Sequence, residues 1–260
     1  MFNKDSLKIL SVGNSFAEDT SEYVPDIALN LGFKSVHIGT LYIGGCSVRR
    51  HYENAQGNIK AYKYYENNGD GWRDTPDVSI EDAIKSEEWD FISIQHGTGD
   101  GSRYTLEESY EKLSLLVNYI RKKASPKTKI AFNMAWVMEP DSTHPEIVSY
   151  KGDQLRMYEN LVRITEQVVM PTEGLDIISP AGTAVQNARA TGGLEPLCRD
   201  KFHLSYTVGR YLAALTFVGA LTKTDIGDVT YAPDGVGEEE RRIAIECAKK
   251  AINAPFKITK

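Results

Sequence analysis

Five short apolar runs, separated by helical patterns, limit the fold more than any other feature of the chain. They are KILSVG (8–13), SVHIGTLY (35–42), DFISIQ (90–95), TKIAFN (128–133) and LDIIS (175–179). Each is rich in Ile, Val, Leu or Phe and bounded by Gly, Pro, Asp or Asn, so each predicts a buried strand. Helices are predicted between and after them at 21–31, 106–124, 153–170, 205–221 and 237–252. Ser21 and Ser205 serve as caps for two of these, with Pro25 held to the first turn. The last helix carries acids in its first turn and lysines in its last, as the helix dipole favours. Strands alternating with helices imply an α/β chain whose parallel sheet is covered on both faces. No linker or internal repeat breaks the pattern, so residues 1–260 read as a single domain. Ligands bind such sheets beyond the carboxyl ends of the strands. Every strand end is therefore a place to look for chemistry.

Composition removes several function classes. The 36 acids outnumber the 30 Lys and Arg for a net charge of -6, and no basic stripe suited to nucleic acid is present. YLAALTFVGAL (211–221) is the longest apolar stretch and falls short of the roughly 18 residues of a membrane span, so it predicts a buried helix. MFNKDSLKILSV (1–12) lacks the basic start, apolar core and cleavage site of a signal peptide. The expectation is a soluble protein of the cytoplasm, or of the periplasm or exterior had a signal been removed. Cys46, Cys198 and Cys247 are an odd number with no close spacing, leaving one disulfide as the alternative to free thiols, and His37, His51, His96, His144 and His203 are scattered. Free thiols and no metal site are expected. VGNSFAED (12–19) is neither a dinucleotide fingerprint nor a P-loop, and Glu18 and Asp19 would repel a pyrophosphate.

The first strand delivers Gly13, Asn14 and Ser15 to the predicted carboxyl edge. A serine nucleophile needs a base to take its proton, a carboxylate to orient that base, and donors for the oxyanion. The G-x-S-x-G elbow is missing. Far downstream, CRDKFHLSYTVGRYLAA (198–214) places Asp200 three residues before His203, just ahead of a helix. On one short loop the carboxylate reaches the imidazole Nδ1 and leaves Nε2 to face Ser15.

Two connections exceed simple turns. Residues 46–89 carry Tyr52, Tyr62, Tyr64, Tyr65 and Trp72 among Asn, Gly and Asp, and 134–152 hold Trp136, Asp141 and His144. Long ordered loops tend to be functional. Aromatics among amides suit sugar recognition, with rings stacking on pyranose faces; the plainer alternative is that they pack their own loops. Trp72 and Trp136 are candidate substrate contacts on this ground, and 46–89 is expected to wall the cleft. Gln186 and Asn187 follow the fifth strand near the same edge, as substrate contacts or as capping residues. Arg189 and Arg199 are candidates to hold an anionic group. Asn14 reads first as a turn former beside Ser15 and second as a substrate contact.

With these blocks in place, the chain resembles the SGNH (GDSL-like) hydrolases. GNSF (13–16) is similar to their first block, IGGCS (43–47) to the second and RDKFHLS (199–205) to the last, in the right order across nearly the whole chain. GNSFAED, LYIGGCSV, ISIQHG, PAGTAVQNAR and CRDKFHLSYTVGRY are similar to a bacterial subgroup of unassigned function, the DUF4886 proteins common in Bacteroides-type bacteria. The resemblance implies a three-layer α/β/α, flavodoxin-like fold on a five-stranded parallel sheet. It implies Ser15, His203 and Asp200 as a catalytic triad, with the N–H groups of Ser15 and Gly45, or Gly44, as oxyanion donors. The third block departs from the family pattern, because Gly99 stands where an Asn donor is usual. The subgroup resemblance points instead to Gln95, with His96 as a second candidate donor or substrate contact. The implied activity is a serine esterase that removes acyl groups, acetyl first, from carbohydrate esters without cofactor or metal. Lipid-ester or thioester hydrolysis on the same triad, or glycan binding without catalysis, are the alternatives.

Overall fold

The computed structural model describes residues 5–95 and 110–260. Among these, seven strands form one sheet: β1 (Leu7–Gly13), β2 (Val36–Tyr42), β3 (Tyr62–Asn67), β4 (Trp72–Val78), β5 (Phe91–Gln95), β6 (Lys129–Asn133) and β7 (Ile177–Ser179). Their order is β4-β3-β2-β1-β5-β6-β7. All five strands expected from the apolar runs are present and parallel. The chain steps outward from β1 to β2 and later returns to β1's other side with β5. The switch point therefore lies at the end of β1, where Ser15 follows.

The sheet is wider than the five strands expected. β3 runs antiparallel to β2 and β4 antiparallel to β3, so part of 46–89 is a hairpin rather than loop. Tyr62 and Tyr64 bury one side of β3, whereas β4 (WRDTPDV) is exposed along its middle. A polar strand carrying Pro76 tolerates only an edge position, where charge and proline also discourage further pairing. Its lack of apolar alternation is why the segment reads as loop in the sequence.

Flanking the sheet, α1 (Ser15–Ser21), α2 (Val24–Asn30), α3 (Val48–Gln56), α4 (Ile80–Lys85) and α5 (Leu113–Lys123) come first in the described chain. They are followed by α6 (Pro145–Ser149), α7 (Gln154–Ile164), α8 (Ala181–Thr191), α9 (Val208–Thr222) and α10 (Glu238–Asn253). Strand residues alternate between two cores. Leu7 and Ile9 join the core formed with α1, α2, α8, α9 and α10, while Leu10 and Val12 join the one under α3, α4 and α5. The apolar run 211–221 lies within α9, which is buried on all sides.

Three helices differ from expectation. Residues 21–31 are not one helix capped by Ser21. α1 starts at the strand end and closes at Ser21, and Pro25 sits in the first turn of the separate α2. α9 begins at Val208 rather than at Ser205, because Ser205 is held by its N–H to the Leu197 carbonyl, 2.8 Å away. Its Oγ still accepts the Gly209 N–H at 2.9 Å. The helix expected over 153–170 is α7 followed by a π-turn at Thr165–Val169. No described helix is long and apolar enough to cross a membrane.

Candidate active site

The turn from β1 into α1 takes a single residue. Asn14 caps the helix, its Oδ1 accepting the Phe16 N–H at 3.0 Å, and this makes Ser15 the first helical residue. The close return needs Gly13, since a Cβ there would lie 2.6 Å from the Ala17 Cβ. A helix leaves its first N–H groups unpaired, so the Ser15 N–H points out of the turn. Beside it, the second strand's turn is strapped to the first. The Ile43 N–H donates to the Gly13 carbonyl at 3.3 Å and Asn14 Nδ2 donates to the Cys46 carbonyl at 3.1 Å. Within that turn Gly45 has φ +60°, a left-handed conformation open to glycine. Among the described residues its N–H has no acceptor.

The loop 198–205 arrives from the other side. Cys198 and Leu204 pair as an isolated antiparallel bridge, which presents the residues between them outward. His203 Nε2 lies 2.9 Å from Ser15 Oγ, and His203 Nδ1 lies 2.6 Å from Asp200 Oδ2. Asp200 Oδ1 also accepts the N–H groups of Phe202 at 3.1 Å and His203 at 2.6 Å. Partial burial pushes the Asp200 carboxyl upward, but the bonds from the His203 ring and these two amides outweigh it and hold the group below the ordinary aspartate value. Asp200 is thus an ionised acceptor that fixes the Nδ1–H tautomer of His203.

What holds this loop is a residue that the sequence reading missed. Asp19, one turn beyond Ser15 on α1, is 0% exposed. It accepts from the Leu204 N–H at 2.9 Å, Arg199 Nη1 at 2.9 Å and Arg210 Nε at 2.8 Å. One carboxylate thereby ties the nucleophile's helix to the histidine's loop. Arg199 is thus occupied in the scaffold rather than free for an anionic substrate. The available signal was charge pairing, an acid after GNSF and arginines flanking D-x-x-H, but sequence alone does not say which acid meets which base.

Several predicted site residues also serve the scaffold. Trp136, fully buried, stacks on Phe16 at 4.3 Å and donates its indole N–H to the Phe202 carbonyl at 2.9 Å. It braces the His203 loop from beneath instead of meeting substrate. Both polar ends of the Asn14 amide are used in the turn. Gln186 accepts from Arg189, which also bonds the Val137 carbonyl and Glu139. Asn187 bonds the Cys247 carbonyl and the Thr259 N–H, inside the layer between α8 and α10. The Asn14 amide, both ends of the Asn187 amide and the Gln186 Oε1 are thus held by the scaffold. Trp72 sits at the hairpin turn, its indole N–H 3.3 Å from the Glu22 carbonyl just past the far end of α1. His96 and Gly99 lie outside the described residues.

Gln95 ends β5 on the α1 side of the sheet. Its Cβ is 3.4 Å from the position a Cβ on Gly13 would take. It is 2% exposed, and its Nε2 has no hydrogen-bond partner among the described residues. An unpaired buried amide costs free energy, and this one lies against the Gly13 turn. Among the described residues no group of three His, Cys, Asp or Glu could hold a metal ion, and no disulfide joins Cys46, Cys198 and Cys247.

The sheet order and the placement of this edge define the fold class: that of the SGNH, or GDSL-like, hydrolases. Axe2, an acetylxylan esterase from Geobacillus stearothermophilus, is similar at TM-score 0.55 and 16% identity over 84% of this chain and 96% of its own. A member of the lipolytic G-D-S-L family from Veillonella parvula is similar at TM-score 0.51 and 14% identity, over 84% of this chain and 99% of its own. Within that class the chain belongs to the DUF4886 family, described as a domain of unknown function, whose sequence profile matches residues 8–251. A DUF4886 family protein from Bacteroides uniformis is 33% identical with TM-score 0.90, covering 98% of both chains. None of the curated proteins is similar to it at a significant level.

Proposed function

We propose that the protein is a serine esterase in which Ser15, His203 and Asp200 act as nucleophile, base and orienting acid. The observation that carries the reading is the continuous chain Ser15 Oγ–His203 Nε2 at 2.9 Å and His203 Nδ1–Asp200 Oδ2 at 2.6 Å, at the switch point of the sheet. His203 Nε2 takes the Ser15 proton as Oγ attacks the ester carbonyl, and the imidazolium is stabilised by Asp200. The tetrahedral oxyanion is met by the N–H groups of Ser15 and Gly45 and by the Gln95 amide, donors that gain strength as charge develops. His203 then returns the proton to the leaving alkoxide. Water, activated by the same imidazole, attacks the acyl-enzyme and releases the acid and free Ser15.

The acyl group is read as acetyl and the alcohol as a carbohydrate. Supporting this, the aromatic residues of the 46–89 segment stand among Asn, Gly and Asp rather than among apolar residues, and a fold relative is an acetylxylan esterase. Incubation with a fluorophosphonate probe tests the nucleophile directly: label is expected on Ser15 and absent in Ser15→Ala. Labelling at another serine, or no hydrolysis of p-nitrophenyl acetate by wild type, would overturn the assignment.

A further inference from the structure

Ser15 and Glu18 on α1 and Glu22, its C-cap, form one stripe at i, i+3 and i+7. Beside that stripe lies a cavity of about 150 Å³ lined by Glu18, Ser21, Glu22, Thr40, Tyr65 and Trp72. Its outer wall is the β3–β4 hairpin, the part of the chain that reads as loop in the sequence. Both rings of that wall are fixed. Tyr65 packs edge-on to Tyr42 at 5.8 Å with the Lys63 ammonium 4.8 Å from its centroid, and Trp72 is pinned to the Glu22 carbonyl. The opposite wall is polar. Glu22 is neutralised by Arg210 at 2.6 Å, but the Glu18 carboxylate has no hydrogen-bond or ion-pair partner among the described residues.

We propose that this cavity is a subsite for a single neutral or amino-sugar ring, the alcohol half of the ester held at Ser15. The proposal rests on the esterase reading for its link to Ser15 and on the cavity alone for its ligand class. Size decides first: 150 Å³ is about five waters at ~30 Å³ each and lies below the ~300 Å³ where pockets for larger ligands begin. One ring fits; an oligosaccharide does not. Chemistry decides next. An acyl chain would desolvate the Glu18 carboxylate without replacing its hydrogen bonds, which is costly. A pyranose instead stacks its C–H face on Tyr65 and Trp72 and donates hydroxyls to Glu18. A uronate would bring a second carboxylate to Glu18 and is repelled. Spacing also agrees, since side chains three apart on a helix sit about 5–6 Å apart at Cβ, the reach from an ester carbonyl at Ser15 to its sugar ring.

Trp89 and Trp136 are buried and Trp72 is not, so Trp72 reports on this cavity by fluorescence. In Ser15→Ala protein, methyl β-xylopyranoside and glucosamine are expected to shift emission saturably and glucuronate is not. Trp72→Phe should abolish the signal. Glu18→Gln, checked for an unchanged melting temperature, should weaken the binding of methyl β-xylopyranoside about tenfold, as loss of a charged hydrogen-bond partner does, while narrowing the discrimination against glucuronate. In Ser15-intact enzyme the same change should lower the ratio of kcat/KM for an O-acetylated methyl xyloside over p-nitrophenyl acetate by about tenfold. Absence of a saturable shift, equal binding of glucuronate, or binding indifferent to Glu18→Gln would overturn the subsite. Failure of wild type to hydrolyse p-nitrophenyl acetate with sugar binding intact would overturn the esterase reading and leave the subsite standing.

Discussion

The two edges of the sheet use the same residue types to opposite ends. At the amino edge lies the larger cavity, about 1210 Å³, bounded by the starts of β5, β6 and β7 and the end of α9. Two of its carboxylates, Asp90 and Asp176, are spent on the sheet. Asp90 accepts the Lys8 N–H at 2.9 Å and donates its own N–H to the Lys8 carbonyl at 3.0 Å. Asp176 repeats the pattern with Ile130, at 2.8 Å each way, and adds Arg121 and Lys129. Each extends a strand ladder by one rung. At the carboxyl edge, Asp200 instead spends its oxygens on an imidazole and its loop, and Gln95 keeps an amide in reserve. Volume marks where the packing opens; chemistry follows where unspent polar groups converge.

Substitutions can break this contrast from either side. The largest effect is expected at Ser15: Ser15→Ala should lower ester hydrolysis by several orders of magnitude with the fold intact, measured as kcat against p-nitrophenyl acetate. A loss below about tenfold would remove Ser15 from the chemistry.

Asp19 comes next, since it carries the tie between the two halves of the site. Asp19→Ala breaks a buried ion-pair set, leaving the Leu204 N–H and Arg199 without their carboxylate and Arg210 with Glu22 alone, and breaking a buried pair costs about 3–5 kcal/mol. A urea denaturation midpoint displaced accordingly, with activity lost in proportion, is the expected result. An unchanged midpoint would show that Leu204 and the arginines find other partners.

Gln95→Ala removes one oxyanion donor and should lower kcat by about a hundred- to a thousandfold, equivalent to about 2.7–4 kcal/mol, with KM nearly constant. Gln95→Glu should be at least as damaging, because a carboxylate repels the oxyanion. Kinetics within about threefold of wild type for Gln95→Ala would shift the third donor to a main-chain N–H.

The smallest effect belongs to the amino edge. Asp176→Ala leaves the Ile130 N–H without its acceptor, for about 1–3 kcal/mol of stability, and kcat/KM should not move. Burial pushes the Asp176 carboxyl upward, but the Ile130 amide and the Arg121 and Lys129 cations hold it below its ordinary value. Its folded pKa is therefore below the unfolded value of about 3.9. The stability it supplies is complete above that pH and is lost as pH falls through the folded pKa. Urea midpoints measured from about pH 5 down to pH 3 should fall more steeply in wild type than in Asp176→Ala. Parallel curves would assign the acid sensitivity elsewhere.

Local sequence determined the strands, because an apolar run bounded by turn residues has few other uses. It also determined Asp200 and His203 as a pair, since three residues of one loop leave little freedom. The Gly13-Asn14-Ser15 exit was legible as the turn that ends β1, whereas the helix that starts at Ser15 was not, since its start was expected at Ser21. Tertiary structure alone decided the rest. The hairpin escaped because β4 is polar and edge-bound, so burial never wrote a period of two into it. Trp136, Gln186 and Asn187 carry the residue types of a binding site but became scaffold, because a polar group's role depends on which partner reaches it first. Asp19 was unreadable for the converse reason. Its partners Leu204, Arg199 and Arg210 stand 180 residues or more along the chain, and only the packing of α1 against α9 brings them to one carboxylate.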